Sequence, residues 1–96
     1  IGHSHKPLIV RKNKDEHAAL FPESNVVLEP DWRYIINIGS VGQPRDGNPK
    51  ACYLLYDTDS REVRLVRVAY DVAAAQKKMK ALDLPEYLIE RISAGR

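Results

Sequence analysis

The chain has 96 residues, of which 44% are hydrophobic and 29% charged, and fifteen basic against thirteen acidic side chains leave a net charge of +2. That composition excludes a disordered or low-complexity segment. The near balance of charge is not the footprint of a dedicated nucleic-acid binder.

No apolar run approaches the roughly 18 residues that cross a bilayer. No signal peptide opens the sequence, although a start inside a longer protein would hide one. Cys52 is the single cysteine. It has no internal disulfide partner and lies in an apolar stretch, so it reads as a buried reduced thiol suited to the cytoplasm. A chain of this size closes one core and buries roughly 60 to 65% of its surface.

The chain opens Ile1-Gly2-His3-Ser4-His5. Two histidines one residue apart after a glycine read as half of a metal site. In an extended backbone both imidazoles face one side; in a tight loop they fan toward two neighbouring ions. Gly2 lets the chain turn and lets a metal or substrate approach the backbone. The same string also suits a tag remnant or exposed surface histidines.

Lys6 to Lys12 predicts a strand around Leu8-Ile9-Val10. Asn13 to Ser24 is polar, interrupted by Ala18-Ala19-Leu20-Phe21 and then Pro22, and predicts a loop with one turn. Within it His17 has no partner at ligand spacing; with Asp15 and Glu16 it reads as solvated surface. Asn25 to Glu29 predicts a short strand, and Pro30-Asp31-Trp32 a turn. Arg33 to Asn37 predicts a strand buried on both faces through Tyr34-Ile35-Ile36. Val41 to Lys50 holds two glycines and two prolines, so it predicts a loop.

Ala51 to Tyr56 and Arg61 to Tyr70 predict two strands. Asp57-Thr58-Asp59-Ser60 between them bonds its own backbone and makes a hairpin. Leu65-Val66-Val68 also reads as buried on both faces. Tyr53 and Tyr56, three apart in a strand, point to opposite sides and make no stacking platform. Asp71 is a good N-cap, and Val72, Ala75, Met79 and Leu82 follow at helical spacing. Lys77, Lys78 and Lys80 fall on the opposite, solvated face. A second helix starts at Asp83 or Leu84 with Pro85 at its first position. Leu88 and Ile92 form its inner face, flanked by Ile89. Strands come first and helices last, so the fold class is α+β. No repeat or linker divides the chain.

The loop Asn37-Ile38-Gly39-Ser40-Val41-Gly42-Gln43-Pro44-Arg45-Asp46-Gly47 gives the opening motif its context. Gly39, Gly42 and Gly47 permit unusual backbone angles. Asn37 and Ser40 either donate to phosphate or a metal-bound water, or brace the loop. Arg45 is the charge able to grip a phosphate in bidentate fashion, or it pairs with Asp46 or another carboxylate.

Together the two strings resemble the C-terminal end of the calcineurin-like metallophosphoesterases, in their small bacterial and archaeal phosphodiesterase branch. There a Gly-His-Thr/Ser-His motif closes a two-metal site, and an Asn-Pro-Gly-Ser-Val-Gly-x-Pro-Arg-Asp-Gly loop follows. The resemblance continues through Ala51 to Asp57, Arg67 to Val72, Leu84-Pro85 and Ser93-Ala94-Gly95, and is least diagnostic from Leu8 to Arg33. Ile38 departs from the usual proline, which loosens the backbone but removes no ligand.

The resemblance implies that residues 1–96 are the C-terminal part of a single phosphoesterase domain, whose parent is a four-layer α/β/β/α sandwich. It implies hydrolysis of a phosphoester, a diester foremost, by a metal-bridged hydroxide on two divalent ions drawn from manganese, iron, nickel or zinc. His3 would bind the second metal and His5 the first. Asn37, Ser40 and Arg45 would meet substrate, and no residue of this segment is expected to be catalytic. The family's Asp-x-His, Gly-Asp, Gly-Asn-His and further histidine are not in the sequence. The N-terminal half would supply them, so this segment alone is expected to be inactive. Expected partners are that half, the phosphoester and a second copy in a homo-oligomer, with no membrane. The competing class is a non-catalytic association module or relic of the fold.

Overall fold

The computed structural model describes residues 1–21 and 23–96. Pro22, expected to end the apolar interruption, lies outside the described residues. The elements in order are β1 (Leu8–Lys12), β2 (Ala18–Phe21), β3 (Asn25–Val27), β4 (Arg33–Asn37), β5 (Ala51–Tyr56), β6 (Glu62–Val68), α1 (Val72–Ala81) and α2 (Glu86–Ala94). They form two antiparallel sheets of three strands, ordered β2-β1-β4 and β3-β6-β5.

Ala18–Phe21 is a strand, not the expected loop. Asn13 Oδ1 accepts a hydrogen bond from the His17 amide at 3.0 Å and closes a tight connection, with Glu16 at φ 64°. The apolar run can then pair with β1, Ile9 opposite Phe21 and Val10 opposite Leu20. Partner availability overrides the polar context.

The core sits between the sheets. Ile9, Val26 and Val63 are buried, with Phe21, Leu28, Tyr34, Ile36, Leu54 and Leu65 packed around them. Alternation along each strand sends the next residues outward. Ile35 is 58% exposed and Val68 43%, so neither Tyr34-Ile35-Ile36 nor Leu65-Val66-Val68 is buried on both faces. Arg11 shares the inner face of β1 with Ile9, its guanidinium carbon 4.2 Å from the Trp32 ring centre and 5.3 Å from that of Phe21. The rings stabilise a cation there by their negative faces.

The β5–β6 hairpin turns as expected. Asp57 Oδ1 accepts from the amides of Ser60 and Asp59, which holds its carboxyl below the usual range. Asp71 caps α1 through the Ala74 amide at 2.9 Å. Leu82 is not on the inner stripe: it lies one residue past α1, 74% exposed, and Asp83 at φ 55° turns the chain away. Pro85 is the N-cap of α2, not its first residue. Ile89 and Ile92 are the buried pair, with Leu88 half-buried, so the inner face is rotated from the expected Leu88–Ile92 line. Gln76 Nε2 donates to the Ile89 carbonyl at 2.8 Å and ties α1 to α2.

The end of α2 reaches the loop that follows β4. Gly95 closes the helix at φ 68°, and its carbonyl accepts from the Gly47 amide at 2.9 Å. A Cβ at Gly95 would stand 2.7 Å from the Asn48 nitrogen, closer than atoms can approach. Only glycine meets both the backbone angle and the contact.

Candidate functional site

The opening motif is a turn, not an extended segment. The His5 amide donates to the Gly2 carbonyl at 3.3 Å, with His3 and Ser4 between them. His5 itself has φ 58°, a left-handed angle that costs a non-glycine residue energy and that surrounding bonds must hold. Ahead of the turn, Ile1 lies beside β4: its main-chain nitrogen donates to the Ile36 carbonyl and its carbonyl accepts from the Ile38 amide, both at 2.9 Å.

The second loop holds the turn from the other side. His5 Nδ1 lies 2.9 Å from the Gln43 carbonyl oxygen. A carbonyl only accepts, so Nδ1 carries a proton, and in the neutral imidazole Nε2 is then the atom with the lone pair. The Arg45 amide donates to the His5 carbonyl at 3.1 Å. Asn37 Nδ2 donates to Ser4 Oγ at 2.8 Å, while Asn37 Oδ1 accepts from the Gly39 amide at 3.0 Å. Asn37 is 3% exposed, with both ends of its amide engaged in bracing. His3 is exposed and His5 half-buried.

Ser40 Oγ accepts from the Gln43 amide at 2.9 Å. Its hydroxyl proton remains available. Arg45 does not pair with Asp46. Its Nη2 donates to Gln43 Oε1 at 3.1 Å, and its Nε is buried with no partner among the described residues. Asp46 instead pairs with Arg67, whose Nη1 also donates to the Lys50 carbonyl at 3.0 Å. This pair fastens the far end of the loop to β6. Beside it, burial pushes the Cys52 thiol up; the Arg67 charge opposes that shift and the Asp46 charge adds to it.

The structure therefore brings His5, Ser40 and Arg45 onto one hydrogen-bonded unit and gives Asn37 a bracing place in it. Ser4 and Gln43 are the members for which sequence reasoning assigned no role. Ser4 stands inside the His-x-His motif, which was a signal. Gln43 acts largely through its main chain, for which a sequence carries none.

Among the described residues no three His, Cys, Asp or Glu side chains cluster as a complete metal site. His17 lies on the β1–β2 connection, its side chain exposed. A cavity of about 300 Å³ is lined by residues including Leu8, Phe21, Glu23, Cys52 and Arg67, and by none of the candidate site residues. No helix among the described residues is long and apolar enough to cross a membrane.

No protein-family model matches the chain. It is 44% identical over 96 residues to an uncharacterized protein of Methanocaldococcus jannaschii, covering all of this chain and 38% of that one. The crystal structure of a metallophosphoesterase from Sphaerobacter thermophilus superposes with a TM-score of 0.85 at 39% identity, over 99% of this chain and 40% of that one. The chain thus spans about two fifths of the length of each. Its two sheets and two helices form a small α+β fold that matches part of a metallophosphoesterase structure.

Proposed function

We propose that residues 1–96 are the C-terminal part of one calcineurin-like phosphoesterase domain whose full-length protein hydrolyses phosphoester bonds, diesters foremost. The observation that carries this reading is the joining of the His-x-His turn to the Ser40–Arg45 loop through the His5 imidazole and the Gln43 carbonyl. Metal-ligating histidines almost always donate their other ring N–H to a carbonyl, carboxylate or water, and the His5–Gln43 contact fits that arrangement. The likeness to a metallophosphoesterase supports the same reading.

In this proposal His5 and His3 would hold divalent metal, with manganese, iron, nickel and zinc all suited to imidazole and carboxylate donors. Two bound ions would neutralise phosphoryl charge and acidify a water. This chain's own residues bind and orient. Arg45 presents its remaining Nη–H groups to phosphoryl oxygens. Ser40 offers its hydroxyl proton to a second oxygen. Asn37 holds the turn in place instead of touching substrate. The carboxylates, the asparagine and the histidine that protonates the leaving group come from the N-terminal half, the principal partner of this segment. The free thiol Cys52 suits a reducing cytoplasm.

The test is hydrolysis of a chromogenic phosphodiester with added manganese. The full-length protein is expected to turn it over and the 96-residue chain alone is not, because two imidazoles cannot assemble a bridged two-ion site. Turnover by the chain alone that survives purification and disappears in His5→Ala would contradict this division of the site. A full-length protein without phosphoesterase activity would favour an association module.

A further inference from the structure

We infer that Gln43 is a positioning residue that sets the aim of Arg45 and the orientation of His5 from one place in the chain. Three of its atoms are engaged, each with a different member of the site. Its carbonyl oxygen faces His5 Nδ1 at 2.9 Å, its amide donates to Ser40 Oγ at 2.9 Å, and its Oε1 accepts from Arg45 Nη2 at 3.1 Å. A guanidinium only donates, so the amide oxygen must be the atom that faces it.

The residue is itself held firmly. Pro44, fully buried, follows it and confines its backbone to extended angles. Without Gln43 Oε1 the guanidinium would keep no described hydrogen bond, and a long flexible side chain would have several rotamers to sample.

The two roles lie on different atoms and separate cleanly. Removing the side-chain amide releases Arg45. It leaves the main-chain carbonyl on His5 in place. The inference rests on the reading that Arg45 meets a phosphoryl group.

The experiment compares Gln43→Met, Arg45→Ala and the double variant in the full-length protein, with bis(p-nitrophenyl) phosphate as substrate and metal content measured for each. Methionine keeps the volume and removes the acceptor. Gln43→Met is expected to raise KM roughly tenfold, the scale of one hydrogen bond to a charged group, with the loss falling on KM more than kcat. Metal content should stay at the parent level. In the Arg45→Ala background Gln43→Met should add nothing further, because it acts through Arg45.

Full additivity in the double variant, or loss of metal in Gln43→Met, would show a general structural role and overturn the inference. An unchanged KM in Gln43→Met beside a raised one in Arg45→Ala would overturn it alone. An unchanged KM in Arg45→Ala would remove the substrate role of Arg45 and the inference with it.

Discussion

The 96-residue chain made alone is expected to self-associate at low micromolar concentration. Its radius of gyration is 16.2 Å and its extents are 52 × 26 × 18 Å. A compact chain of this length has a radius near 12.5 Å, estimated as about 2.2 Å times the 0.38 power of length. Its accessible surface of 6781 Å² also exceeds the roughly 5,600 Å² of a compact monomer of this mass.

Large apolar side chains contribute to that surface. On the outer face of the first sheet Val10 stands opposite both Leu20 and Ile35, and Leu20 is 71% exposed. On the second, Tyr53, Leu55 and Val68 face outward. Strands β2, β4, β3 and β5 are sheet edges. Apolar faces and open edges recruit other chains, and a net charge of +2 opposes this little. The outer faces would be covered by the N-terminal half or by a second copy. Sedimentation at low micromolar concentration measures the outcome. A monomer with a cooperative thermal transition would show that the chain closes its own core.

In the full-length protein, His5→Ala and His3→Ala are each expected to lower metal occupancy and phosphodiesterase activity by at least about 100-fold, since losing even an outer partner of a ligand costs 10- to 100-fold. His17→Ala is expected to change neither. His17 contributes to its turn through its amide on Asn13 Oδ1, which alanine retains, and its side chain is exposed. Metal analysis of the three variants distinguishes them. Equal occupancy in all three would refute the ligand assignment.

What the sequence made legible was local chemistry. Asp57 and Asp71 each bond backbone amides within three residues, so their turn and cap follow from residue type and spacing. What it hid depends on neighbours distant in the chain. Ala18–Phe21 becomes a strand because β1 offers it an edge. Ile35 and Leu82 are apolar and exposed, since periodicity locates apolar residues and not what covers them. In the site, His5, Ser40 and Arg45 could be nominated by side-chain type. The bracing of Asn37 by Ser4, and the free choice of Asp46 for Arg67 over Arg45, are settled by geometry across 21 to 33 positions of sequence. Gln43 was invisible because a main-chain carbonyl belongs to every residue.

The most direct measurement is anomalous scattering from crystals of the full-length protein grown with manganese. A metal peak is expected on His5 Nε2, with Nδ1 still donating to the Gln43 carbonyl, and a peak at the His3 imidazole. Metal peaks that leave both imidazoles uncoordinated, or a metal on His5 Nδ1 with the Gln43 contact broken, would contradict the joining of the two motifs into one site.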